Sequence, residues 1–450
     1  MQHIQGISRH QLQMSSLEDK ITADNPVRFI DAFVNHIDPV KIGFKPKILK
    51  TEGRPNFRLE VFLKLYLYGY LNGVRSSRRL EKECFRNIEV QWLLEAIYPN
   101  YHSIADFRKD NPKALKQLFK LFVSFLKDAE LIAGDTIAID GTKSRAHNSK
   151  KANYNQKKID KHKAYIDAKS QEYLDQLEQN DIQENPVAIK NIQQKIERLK
   201  QNKIKYELLE EELKNSGEPQ ISTTDADARA LLVQGQVVEV SYNIQAAVDS
   251  KHNLVVATHT INRNDKNALA AIALEVKENL ALETFTVLVD KGYHNGRELH
   301  TCKQNNITTI VAVPEQGKSN ENGTQPEYLV SKFIYNKENN SYTCPEGKTL
   351  TTTGSWHKKT GRTEESGYNF QKYRTPACKT CLVKGLCTSR NGGREIDRSQ
   401  YADAVEENHQ RYKDNPQLYR KRQEINEHIF GTIKRKWGYN YTDLVGLEKV

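Results

Sequence analysis

Two apolar runs, each closed by an aspartate, constrain this chain more than any other feature. One is IAID, ending at Asp140, and the other is TVLVD, ending at Asp290. Short runs of this kind read as buried β-strands, which puts each aspartate at a strand's C-terminal end. A third acid, Glu427 in NEHIFGTIKRKWG, lies on a segment with helical spacing. Two strand-end carboxylates and one helix carboxylate make an oxygen-only cage, the donor set that Mg²⁺ and Mn²⁺ prefer. The chain carries a net charge of +11. A metal cage in so basic a protein points to a phosphodiester as its ligand. Charge alone is equally compatible with a solvated, charge-rich surface.

Around these runs the elements order themselves. Residues 1–130 read as a helical N-terminal domain. FRLEVFLKLYLYGYL (57–71) has an apolar face, and Ser76 or Ser77 caps the basic helix that follows. Ser103 with Asp106 forms a capping box for the next one. Helix, short turn and Arg-rich helix suit either a packed bundle or DNA docking. Strand, hairpin, helix, strand, helix and strand then follow over 131–150 and 220–314, and the core is completed by 403–450, helical and basic from 403 to 437. Residues 151–219, rich in Lys, Gln and Glu, predict a helical hairpin with Asn185 capping the second helix at Pro186. That arm could be structural, a basic arm on DNA or a dimerisation contact. Residues 315–402 predict a small β-rich insertion. The fold class is therefore α/β, a mixed sheet flanked by helices.

Six cysteines are too few for a disulfide scaffold. Four of them, Cys344, Cys378, Cys381 and Cys387, suit a structural Zn²⁺ site, or else are buried free thiols. No apolar run is long enough for a membrane span, and the N-terminus has no secretory pattern, so a cytoplasmic protein is expected. On a helical wheel of about 100° per residue, Ile425, Ile429, Phe430, Ile433 and Trp437 share one face. Glu427 and Lys434 fall on its rim, where they can look toward the strand ends.

The motifs IAIDGTK, STTDADARALL, SYNIQAAVDS, VLVDKGYHNG and NEHIFGTIKRKWG together resemble the DDE transposases of bacterial insertion sequences. The branch most similar carries a Tyr-Arg-Glu-Lys signature around its last acid. The resemblance covers roughly residues 50–450 and implies an RNase H-like core with insertions between its elements. It implies Asp140, Asp290 and Glu427 as catalytic ligands of two Mg²⁺ or Mn²⁺ ions, with Asp140 bridging. Lys434 matches the signature Lys. Tyr419 and Arg422 resemble its Tyr and Arg, each one residue too far upstream of Glu427. Glu424 is the poorer candidate, because Gly431 then stands where the Lys should be. Lys434, Arg422, Tyr419, His294 and Lys143 are expected to contact DNA. Asp225 and Asp227 either support the metal site from behind or hold a turn.

The partners implied are double-stranded DNA, as terminal inverted repeats and target, and a second copy of the chain in the synaptic complex. Family members usually continue beyond LVGLEKV, so the resemblance implies a truncated or interrupted copy. Two other readings compete: an inactive DNA-binding regulator, and a two-metal nuclease without strand transfer.

Overall fold

The computed structural model describes residues 7–12, 14–46, 55–182, 186–234, 236–314, 324–361 and 367–450. The N-terminal unit is helical: α1 (Pro26–His36), α2 (Pro39–Ile42), α3 (Leu59–Leu71), α4 (Ser77–Arg86), α5 (Ile88–Leu93), α6 (Tyr101–Asp110) and α7 (Pro112–Asp128). Val34, Leu63, Leu65, Leu80, Val90 and Ile104 form its buried core. Asparagines punctuate it where serines were expected. Asn100 accepts the Ser103 N–H at 2.9 Å, so α6 opens earlier than the Ser103 capping box predicts. Asn87 ends α4 and caps α5, and Ser76 starts α4 without a side-chain cap bond. A short acceptor side chain satisfies the free N–H groups of a first turn equally well from either residue type.

The central sheet is mixed. Its strands are β1 (Thr136–Arg145), β4 (Arg229–Gln234), β5 (Val237–Asp249), β6 (Leu254–Ile261), β7 (Phe285–Val289) and β8 (Ile307–Val311). Two-residue strands β2 (Asn153–Tyr154) and β3 (Ile221–Ser222) pair beside it. β5 lies antiparallel to β1 and pairs β4 and β6 along its length. On its other edge β1 pairs β7 in parallel, and β7 pairs β8 in parallel. β4 was not foreseen in the sequence.

Each sheet face has its own cover. Ile137, Ile139, Val287 and Val289 bury against α10 (Leu269–Asn279), α11 (Gly296–Gln304) and part of α7. Ala138, Leu288, Val248 and Ile310 bury against Ile425. Strand alternation sorts these two sets, since odd and even residues of a strand point to opposite faces.

The hairpin is present as α8 (Gln156–Ile182) and α9 (Pro186–Ser216), rooted on Tyr154, Ile159, Leu209, Leu213 and Ile221. The expected cap Asn185 lies outside the described residues. Residues 156–216 hold 12 Lys and Arg against 12 Asp and Glu, so the arm has no net charge. It is not the basic arm that composition suggested.

The β-rich unit has two small sheets. β9 (Ile334–Asn336), β10 (Ser341–Thr343) and β11 (Thr349–Leu350) form one. β12 (Trp356–Lys359), β13 (Tyr368–Tyr373) and β14 (Ile396–Ser399) form the other, with α12 (Lys384–Cys387) between β13 and β14. From there the chain runs through α13 (Ala402–Asp414) and α14 (Pro416–Gly431), parted at Asn415-Pro416, into a π-helical turn, Thr432–Lys436. Asn408 on α13 bonds both the N–H and the carbonyl of Val311, fixing the helix to the edge of β8. Among the described residues no helix is long and apolar enough to cross a membrane.

Glu395 ties the second small sheet together. Burial pulls its carboxyl up, but Arg390, Lys372 and Arg374 hold it down at about 2. The folded value lies below the unfolded one of about 4.3. Its contribution is therefore complete above that value and is lost as pH falls toward 2. Glu395→Gln should cost roughly 1–3 kcal/mol at pH 7, the range for hydrogen bonds to charged groups. The variant's thermal midpoint should also fall less steeply than wild type's between pH 5 and 2. Parallel acid profiles for the two proteins would refute this role.

Candidate active site

The parallel register of β1 and β7 builds the site. Ile137 stands opposite Val287 and Ala138 opposite Leu288. Two residues on, Asp140 and Asp290 come level, about 5 Å apart in backbone terms. Asp290 directly follows β7, but Asp140 lies midway along β1, whose pairing with β5 carries the strand on to Arg145, so the strand end expected at Asp140 is corrected. Alternation puts both on the face of Ala138 and Leu288, the face that α14 covers. Asp290 closes β7, and its side chain accepts the Gly292 N–H at 2.8 Å. Asp140 accepts its neighbour Gly141's N–H at 2.8 Å and faces the Arg422 guanidinium at 3.4 Å. Burial raises the Asp140 carboxyl above its ordinary range, and Asp290 and Asp265 push the same way, against Gly141 and Arg422.

Asp265 was not singled out in the sequence. It follows β6 and accepts from Asn243 Nδ2 at 2.8 Å, Gln245 Nε2 at 2.9 Å and Lys143 Nζ at 3.1 Å. Burial pulls its carboxyl up, but these donors hold it below the usual range. The fully buried Tyr293 donates its hydroxyl to Gln245, so one polar network backs both aspartate-bearing segments. Burial drives the Tyr293 phenol far above its normal range, with Asp265, Asp140 and Asp290 adding to it. The available sequence signal was Asn243 and Gln245, two alternate polar residues of β5 that are both fully buried. Gly141 is required by this network. A side chain there would meet Asp265 Oδ1 at 2.5 Å and run into Gln245 Nε2.

α14 lies across this face, and its register departs from the helical wheel. Arg422, Ile425, Asn426 and Ile429 turn inward; Glu427 is exposed and, among the described residues, makes no hydrogen bond or ion pair. The expectation that Glu427 looks toward the strand ends is corrected on this point. Its neighbour Asn426 is 1% exposed, and both its amide atoms lack partners. The π turn explains why Lys434 still reaches β1. A wider turn advances less than 100° per residue, so Glu427 and Lys434 no longer share a line.

Three of the expected DNA contacts, Lys434, Lys143 and Arg422, are occupied within the protein. Lys434 Nζ donates to the Lys143 carbonyl at 2.9 Å, and burial, with Lys143 nearby, lowers its pKa. Lys143 pairs with Asp265 and Arg422 with Asp140. Tyr419 packs edge-on against Tyr412 at 4.9 Å. His294 is half-buried with Nε2 unpartnered, and burial lowers its pKa, which favours the neutral ring. Trp437 is 37% exposed, so it is not a core residue.

Asp225 and Asp227 lie elsewhere. Buried Asp225 accepts the Tyr242 hydroxyl at 2.6 Å and the Gly446 N–H at 3.3 Å, while Asp227 accepts the Leu447 N–H at 2.8 Å. They clamp the segment after α14. That segment also bonds Arg145 on β1. Arg75 stacks on Tyr439 and Tyr441 at 4.4 Å each, and Asp443 faces Arg75 and Arg108 at 3.9 Å.

The oxygen donors and the excess of carboxylates over Arg422 and Lys143 fit a hard divalent cation. Yet among the described residues no three His, Cys, Asp or Glu gather closely enough, as they stand, to hold one. The structure joins Asp140 to Asp290 and leaves Glu427 apart.

Two family models match the chain: Transposase domain (DUF772) over residues 15–110 and Transposase DDE domain over residues 343–450. Asp140 and Asp290 fall between the two segments; Glu427 and the four clustered cysteines fall within the second. No curated protein and no solved structure matches significantly.

Gly141→Ala should destabilise the protein by about 1–3 kcal/mol, the usual cost of overpacking a filled site. Urea unfolding measures it. A change within about 0.5 kcal/mol, as at an indifferent surface position, would show the space behind Asp140 to be open.

Proposed function

The chain belongs to the DDE-type insertion-sequence transposases, and we propose that it cleaves DNA at its element's ends and joins the freed 3′-hydroxyl to target DNA. In this reading Asp140, Asp290 and Glu427 hold two Mg²⁺ or Mn²⁺ ions. The observation that carries it is the level pair of aspartates, Asp140 within β1 and Asp290 just past the end of parallel β7. The strand order β6-β5-β1-β7-β8, antiparallel up to β1 and parallel beyond it, supports an RNase H-like core. The α8–α9 hairpin and the β-rich unit are then insertions between core elements.

Support for Glu427 comes from its place in the helix. It lies between Arg422 and Lys434, the residues by which α14 and its π turn grip β1 at Asp140 and Lys143. Bound divalent ions would supply charge neutralisation at the phosphate and a more acidic nucleophile. The chain's own groups do the rest. Arg422 offsets charge on Asp140, and the Asp265–Gln245–Tyr293 network holds the two aspartate-bearing segments in place. The same donor set serves hydrolysis of one strand and transfer of its end, because both are displacements at phosphorus.

The test uses purified protein, DNA carrying the element's terminal repeats, and Mg²⁺. Asp140→Asn, Asp290→Asn and Glu427→Gln should each abolish cleavage and keep terminal-repeat binding, whereas Asn426→Ala should keep most of both. Cleavage by Asp290→Asn would overturn the assignment. An active Glu427→Gln beside a dead Asn426→Ala would transfer the third position to the amide. Cleavage without joining would make the protein a nuclease, and binding without cleavage a regulator. Asp265→Asn should slow cleavage about 10–100-fold, the usual cost of losing an outer-shell partner. Unchanged kinetics would remove it from the site.

A further inference from the structure

Four thiols from separate segments meet in the β-rich unit. Cys344 follows β10, Cys378 and Cys381 sit on the turn after β13, and Cys387 ends α12. All four are free and half-buried, and together they line one small cavity.

Two local features read as preparation for a ligand. Cys344 opens a tight turn, with Gly347 at φ +73° and its N–H bonded to the Cys344 carbonyl at 2.9 Å. The turn directs the Lys348 N–H onto Cys344 Sγ at 3.2 Å, which fixes the orientation of that sulfur. Across the cavity Gly393, at φ +92°, runs so close to Cys378 that any side chain there would strike its Cβ. The walls also carry Lys348, Lys384 and Arg394 against one acid, Glu346. A divalent ion held by four thiolates has a net charge of −2, which those cations balance.

We propose that Cys344, Cys378, Cys381 and Cys387 bind one structural Zn²⁺, which is typically four-coordinate and tetrahedral in such sites. No three of the sulfurs are close enough as they stand to share an ion, so binding draws the Cys344 turn and the 378–387 segment inward. The site backs the unit's core of Phe333, Tyr342, Leu350, Tyr373 and Ile396. That core in turn holds Arg398, which lies 3.5 Å over the Tyr335 ring and pairs with Asp403 and Glu406 on α13 at 2.5 Å. The ion thus sets the platform from which α13 and α14 depart.

This assignment does not depend on transposition, and its test reads metal rather than DNA. The wild-type chain, purified under reducing conditions without chelator, should carry one zinc per chain by elemental analysis and native mass spectrometry. Cys378→Ser with Cys381→Ser should lose the zinc and lower the thermal midpoint. A folded wild-type protein without stoichiometric zinc would overturn the proposal, whatever the variant does. So would two disulfides among these sulfurs, or iron in zinc's place.

Discussion

The parallel pairing of β1 with β7 is the constraint on which the rest depends. These strands lie about 140 residues apart in sequence, yet a register of three paired residues sets their aspartates level. Parallel strands cannot be joined by a tight turn, so the intervening chain must leave the sheet and return. Here it leaves as the hairpin, comes back as the β5–β6 ladder and crosses through α10. The hairpin therefore tolerates a long excursion, because both of its ends return to β2 and β3 beside the sheet.

Much of this was legible in the sequence because burial leaves a local trace. Apolar runs located the first half of β1 and all of β7, turn residues located the β5–β6 hairpin, and the Asn185-Pro186 pair marked the start of α9. What was not legible depends on rotation or on distance. A π turn shifts everything beyond it around the helix axis, and nothing in TIKRK announces one. Asp265 meets Gln245 and Lys143 only after β5, β6 and β1 have paired, so its neighbours are set by register and not by spacing. Asp225 and Asp227 stood out as a motif, but their partners, the Tyr242 hydroxyl and the Gly446 and Leu447 N–H groups, are brought to them only by the fold.

The Asp140 setting shows a cost that function imposes on the fold. A partly buried carboxylate with two acids nearby disfavours its own charge, and only Arg422 and one backbone N–H oppose this. A fold selected for stability alone would place an apolar residue there. The absence of a side chain at Gly141 and the buried polar pair Asn243 and Gln245 are concessions of the same kind.

The segment from Tyr439 to Leu447 is gripped from two sides. The N-terminal helices hold it through Arg75 and Arg108, and the sheet holds it through Arg145, Asp225 and Asp227. It works as a shared hinge pin: the helical unit cannot swing away from the sheet without unstacking Arg75 from two tyrosine rings. Because the pin is continuous with the π turn, the orientation of α14 over Asp140 and the seating of the N-terminal unit are mechanically one degree of freedom.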